Sequence, residues 1–158
     1  MLKYIKYFTP LFSAIMIIIF YLQGAFYPTI CLLIYSGILI IGDFLFKDTK
    51  IQKFSYPKIL DLSIYINLPI LFILVFFVVS IFCNYLPIWY ISGFKTIFNI
   101  DFIQLKESFN WIDKASIIIH TALSIGSSGT VAAHELTHRK KNKFDMFIGN
   151  WLLAFSWD

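Results

Sequence analysis

The chain has 158 residues, of which 59% are hydrophobic, 20% aromatic and only 14% charged, with a net charge of +4 and a mean hydropathy of +0.76. Soluble domains carry about 45–50% apolar and about 25% charged residues, so this composition excludes a water-soluble globule and a disordered chain and points to an integral membrane protein. The basic residues cluster at the ends of apolar stretches and form no stripe for a phosphate backbone, which excludes nucleic acid as a partner.

The charged start Met1–Lys6 followed by apolar residues imitates a signal peptide. No small-x-small cleavage site precedes the next hydrophobic segment, so a retained first span is expected. From Tyr7 to Gly42 no charged residue occurs. As one helix this run would measure about 54 Å, against a hydrocarbon core of about 30 Å. The polar, turn-prone residues from Gln23-Gly24 to Pro28 divide it, predicting a hairpin of spans over 4–22 and 25–46 joined by a tight uncharged turn. Lys47, Asp48, Lys50, Lys53 and Lys58 then make a polar loop.

Leu62 to Phe94 is again free of charge. Pro69 is placed to kink the third span early and Pro87 to end it, which predicts a helix over 61–85. Trp89 and Tyr90 suit the membrane–water interface. The mixed stretch from Phe94 to Asn110 reads equally as a loop or an interfacial helix. A fourth span is predicted over 111–133. The expected fold is therefore all-α and integral to the membrane, with four transmembrane helices in two hairpins. Cys31 and Cys83 each fall within apolar sequence and read as buried structural thiols.

Ten of the thirteen basic residues would share one face of the membrane: Lys3, Lys6, Lys47, Lys50, Lys53, Lys58, Arg139, Lys140, Lys141 and Lys143. Lys95, Lys106 and Lys114 fall on the other, offset by Asp101, Glu107 and Asp113. The positive-inside rule makes the first face cytoplasmic. Arg139 to Lys143 then read most simply as a stop to translocation and an anchor for the helix.

All three histidines lie in or just after the fourth span, at His120, His134 and His138. The last two flank an acid in His134-Glu135-Leu136-Thr137-His138. Residues four apart share a helix face, so both imidazoles can reach one metal ion, while Glu135 points about 80° from their midline and is placed as a neighbouring acid. A polar helix end at the headgroups is the plainer reading of the same residues. His120 would lie about 21 Å from His134 along a straight helix and is expected to pack. The small residues Ala122, Gly126 and Thr130, with Gly129 and Ala133 beside them, predict close helix packing before the motif. Asp43 and Asp61, acids near the ends of the second and third spans, are further candidate site residues. His-Glu-x-x-His on a helix is also the signature of zinc metalloproteases, with the glutamate as general base, so a membrane-embedded protease is a second reading. A non-enzymatic four-span protein with a structural metal is a third.

The run Gly129-Thr-Val-Ala-Ala-His134-Glu-Leu-Thr-His138-Arg-Lys resembles the first histidine box of the membrane alkane monooxygenases, in the fatty-acid desaturase/hydroxylase superfamily. Tyr35-Ser-Gly37 through Gly42-Asp43 looks like the end of that family's second span, where the family carries a bulkier aromatic lining the substrate channel. The resemblance implies a larger bundle of about six helices in the bacterial inner membrane, with the motif at the cytoplasmic side. It implies a histidine-ligated di-iron centre that uses O2 to hydroxylate the terminal carbon of alkanes or related acyl chains, with electrons from rubredoxin and its reductase. His134 and His138 match the first two iron-ligand positions, Glu135 the neighbouring catalytic acid, and Tyr35 the channel-lining position, although Tyr35 equally reads as a packing residue. The family's later histidine boxes do not occur in these residues, so the chain is expected to be the N-terminal part of such an enzyme and inactive by itself.

The topology has a direct test. Cysteines introduced at Asn99 and Asn142 should react with an impermeant thiol reagent from opposite sides of the membrane, and labelling of both from one side would reject the arrangement.

Overall fold

The computed structural model describes residues 2–45, 56–139 and 142–156, and every regular element among them is helical. In chain order these are α1 (Leu2–Ile5), a 3-10 turn (Lys6–Phe8), α2 (Thr9–Leu22), α3 (Tyr27–Leu45), α4 (Pro57–Tyr65), α5 (Asn67–Phe82), α6 (Ile88–Phe98), α7 (Phe102–Ser108), α8 (Trp111–Ser124), a π-helix (Ile125–Thr130), α9 (Val131–Thr137) and α10 (Lys143–Ser156). The all-α expectation holds. Two helical stretches, Lys58–Phe82 of 25 residues and Trp111–Thr137 of 27, are long and apolar enough to cross a membrane. At 1.5 Å per residue they measure about 38 Å and about 41 Å. Lys6–Leu22 and Tyr27–Gly42 are apolar but shorter. The lysines at 47, 50 and 53 lie outside the described residues.

Several boundaries differ from the sequence expectation for identifiable reasons. The third helix starts earlier, at Pro57, whose missing N–H is harmless in a first turn. It breaks after Tyr65 and resumes at Asn67. The Pro69 ring would meet the carbonyl four residues back, at Tyr65, which is the site of the break. The fourth helix runs past Ala133 to Thr137, so His134 lies within the helix and His138 caps it. The undecided stretch after Phe94 folds as two helices. Asn99 closes α6 in the left-handed conformation at φ 54°, and the Asp101 carboxylate starts α7 by accepting from the amides of Ile103 at 3.0 Å and Gln104 at 3.3 Å. Helix α10 was not foreseen, although Asn142 carries its start signal by accepting from the Phe144 amide at 3.0 Å, with Asp145 in the first turn.

The chain forms two compact units. The first comprises Met1–Met16, Ser55–Phe77 and Thr121–Asp158. Its core is Leu71, Ala132, Ala133, Leu136, Ile148 and Leu152, flanked by Ile64, Tyr65, Leu68, Ile125 and Leu153. Helix α10 lies close on α9 because position 149 is glycine: a Cβ there would stand 3.1 Å from Leu136 Cβ and 3.2 Å from the Thr137 backbone nitrogen. Phe72 of α5 stacks its ring against Trp151 and Phe155 of α10. The Tyr4 hydroxyl accepts from the Tyr56 amide at 3.0 Å, tying α1 to the start of α4.

The second unit comprises Ile17–Phe54 and Val78–His120. The expected uncharged turn lies between α2 and α3, with Gly24 at φ +79°. A Cβ at Gly24 would stand 2.9 Å from Ser108 Oγ, so both conformation and space require glycine. The turn's amides find partners in distant sequence. Ala25 N–H donates to Ser108 Oγ at 3.1 Å and Phe26 N–H to Asp113 Oδ2 at 3.2 Å. Thr29 Oγ1 donates to Asp113 Oδ1 at 2.6 Å, and Asn110 N–H reaches Asp113 Oδ2 at 3.3 Å. Asp113 is fully buried. Its charge serves the turn instead of balancing a neighbouring lysine at a surface. Tyr90, Phe94 and Phe102 form an aromatic cluster between α6 and α7, whereas Trp89 stays exposed. Cys31 is buried as expected, but Cys83 is exposed because α5 ends before it.

Asp113 carries a quantitative expectation. Asp113→Ala removes the acceptor from two amides and a hydroxyl and should cost about 3 kcal/mol, while Thr29→Ala should cost about 1 kcal/mol. Thermal unfolding in detergent measures both. A melting temperature for Asp113→Ala equal to that of the parent would reject Asp113 as the anchor of this turn.

Candidate metal centre

The helix that carries the histidine motif contains a local change of winding. Ile125–Thr130 forms a π-helix whose wide turns replace i→i+4 bonding with i→i+5. Glycines and serines at Gly126, Ser127, Ser128 and Gly129 suit this winding, since they crowd it least. The Ser128 hydroxyl donates back to the Ser124 carbonyl, and Asn67 of α5 donates its Nδ2 to the Ser128 carbonyl at 3.3 Å. The small residues here differ in whether they serve packing. A Cβ on Gly129 would stand 3.1 Å from Leu71 Cδ1, and Ala133 is fully buried, but a Cβ on Gly126 would meet nothing within 4 Å. Gly126 thus falls off the expected close-packing stripe, and so does Ala122 one turn before it, which is exposed.

Beyond this segment, α9 presents His134 and its C-cap presents His138. Their Nε2 atoms are 3.1 Å apart and the rings stand nearly perpendicular, at 84°. Both side chains are exposed, while Ala132, Ala133 and Leu136 on the other side of the helix are buried. Two nitrogens bound at about 2.0–2.1 Å to one ion lie about 2.9–3.4 Å apart across right-angled to tetrahedral geometry. The contact is a hydrogen bond between the two rings, and its length also suits two adjacent ligand positions of a single metal ion. Among the described residues, no set of three or more histidine, cysteine, aspartate or glutamate side chains is gathered for a metal.

Glu135 faces away from the pair, as helical geometry requires. It takes an ion pair with Arg139 one turn on, with Arg139 Nη2 at 3.1 Å and Nε at 3.3 Å from Oε1. Arg139 is the centre of a wider cluster. Its Nη1 donates to Asp61 Oδ1 of α4 at 2.5 Å and lies 3.7 Å from Asp145 Oδ2 of α10. The bond to Asp61 holds the guanidinium pKa above its ordinary value against partial burial, and Glu135 adds to this. Asp145 is buried, and its Oδ1 accepts from Tyr65 at 2.5 Å and from Asn142 Nδ2 at 2.9 Å. Asp61 is thus brought to the motif. Arg139 does more than stop and anchor a helix. Sequence reasoning missed Tyr65, Asn67 and Asp145; the i, i+4 spacing of Asp61 and Tyr65 was the available signal, since it places both on one face of α4.

The remaining candidates lie elsewhere. In the second unit the Tyr35 ring lies 4.7 Å, centroid to centroid, from that of buried His120, with Tyr21 on it edge-on at 6.4 Å. His120 is therefore an aromatic packing partner, as expected. The side chain of Asp43 lies outside the described residues. Comparisons with protein-family models, with curated proteins and with solved structures find no match for this chain.

Proposed function

We propose that this chain carries part of the ligand set of a multi-pass inner-membrane di-iron monooxygenase of the alkane-hydroxylase kind. The observation that carries the reading is the 3.1 Å convergence of His134 and His138 Nε2 at the end of a helix long enough to cross a membrane. The exposed faces of the long helices support it. Leu33, Ile38 and Ile40 of α3, and Phe76 and Val79 of α5, are all exposed apolar residues. Ser63, Asn67, Ser80, Ser116, Thr121 and Ser124 are buried. Apolar residues outward and polar ones inward is the arrangement a lipid surround favours. In this reading Lys6–Leu22, Tyr27–Gly42, Lys58–Phe82 and Trp111–Thr137 are four spans in two hairpins, with the motif on the cytoplasmic side.

His134 and His138 would hold iron through Nε2. Once bound, a di-iron centre supplies O2 activation, placing one oxygen atom in a C–H bond and releasing the other as water with two electrons and two protons from a donor such as rubredoxin. Glu135, held by Arg139, serves the site through the helix end. The ion pair engages only Oε1 of an exposed side chain, so the glutamate stays open to water and the protease remains the alternative reading. An alkane has no hydrogen-bonding group, so its recognition must come from an apolar tunnel, and Tyr35 is the proposed aromatic stop in that tunnel.

Two measurements test the proposal. Protein carrying the full ligand set should bind iron, with His134→Ala or His138→Ala reducing it and His120→Ala retaining it; stoichiometric zinc with no iron and with peptidase activity would transfer the site to the protease reading. In the complete enzyme, Tyr35→Ala should move the product distribution toward longer alkanes at unchanged iron content. A parallel loss at all chain lengths would make Tyr35 a packing partner of His120 only.

A further inference from the structure

The histidine pair has no rigid wall of its own. It stands exposed at the last turn of a seven-residue helix, preceded by a π-helix and followed by a short connection to α10. Helix ends fray, and a frayed end would separate His134 from His138. Helix α10 packs on one side of α9 through Gly149, and the polar contacts that hold the helix end come from the α4–α5 segment and the start of α10.

The α4–α5 segment grips the motif at two levels. Before the histidines, Asn67 Nδ2 donates to the Ser128 carbonyl inside the π-helix at 3.3 Å. After them, Asp61 takes Arg139, the residue that follows His138, at 2.5 Å. Tyr65, one turn beyond Asp61 on the same face of α4, holds Asp145 at the start of α10 at 2.5 Å. The 3.7 Å approach of Arg139 to Asp145 closes the ring. Asp61, Arg139, Asp145 and Tyr65 thus join the end of α9, the start of α10 and α4 around the turn directly after His138. Arg139 also draws in Glu135 on the same helix, so the motif's acid is fixed beside its histidines but not on them.

We infer that Asp61 and Arg139, closed by Asp145 and Tyr65, are positioning residues that hold His134 and His138 in chelating geometry. This rests on the pair being a metal site. Groups that hydrogen-bond a metal ligand directly change metal affinity by about 10–100-fold when they are removed; Asp61 and Arg139 act one step further back, through the helix end.

The test uses the purified protein in detergent and copper(II)–iminodiacetate, a chelate that binds a helical histidine pair whichever metal is native. The parent protein should bind it, and His134→Ala should lose binding. Asp61→Asn and Arg139→Gln should each weaken binding by up to about tenfold and alter the copper electron paramagnetic resonance spectrum. Arg139→Lys, which keeps the positive charge among Asp61, Glu135 and Asp145, should bind more tightly than Arg139→Gln. Circular dichroism and thermal melting report whether each variant is folded. Folded Asp61→Asn and Arg139→Gln proteins that bind the chelate as tightly as the parent would overturn the inference, as would a folded Arg139→Lys that binds no better than Arg139→Gln. Iron content of protein carrying the full ligand set separates this from the functional proposal: Asp61-dependent uptake of the chelate with no iron in that protein would leave the clamp standing and remove the oxygenase.

Discussion

A single guanidinium organises the polar end of the first unit. Arg139 reaches carboxylates from three helices, Asp61 on α4, Glu135 on α9 and Asp145 on α10. Asp145 is almost fully buried, and a buried carboxylate without donors is costly enough to reorganise its surroundings. Its donors here are Tyr65 and Asn142, with the Arg139 charge close by. Meeting that requirement fixes where α4, α9 and α10 end and begin, and the apolar cluster of Leu71, Ala133, Leu136 and Leu152 fills the space they leave.

The π-helix follows the same economy of polar groups. Wider winding leaves carbonyls without the usual i+4 donor, and in an apolar surround each such group must find another. The Ser128 hydroxyl serves Ser124, and Asn67 serves Ser128. Gly129 permits the approach that makes the Asn67 bond possible, because Leu71 occupies the place a side chain would need. The irregular segment is accordingly held from outside the helix, by the same α4–α5 segment that holds Arg139.

In the second unit Asp113 does for a turn what Arg139 does for helix ends. The turn between α2 and α3 has no charge of its own, and its amides are supplied with acceptors from residues far along the chain, Ser108 and Asp113. One carboxylate joins α3 through Thr29 and the start of α8 through Asn110. Burying an acid in this way is tolerable because three donors reach its two oxygens.

Helical class, the position of the long apolar helices and the shared face of His134 and His138 were legible in the amino-acid sequence, because each depends on local period: charge-free length for a span, four residues for one helical turn. The break near Pro69 and the turn at Gly24 were legible for the same reason, since ring sterics and positive φ act within a few residues. Helix α10 was within reach of that reasoning through Asn142 and Asp145, but its 14 residues are too few to announce a span. Only the tertiary structure could show the partners of Asp61, Asp113 and Asp145. Charge has no period, and a carboxylate pairs with whichever donor the fold brings near, 78 residues away for Asp61 and Arg139 and 80 for Tyr65 and Asp145. The same holds for Gly126 and Gly129, identical in sequence terms, of which one stands against Leu71 and the other in open space.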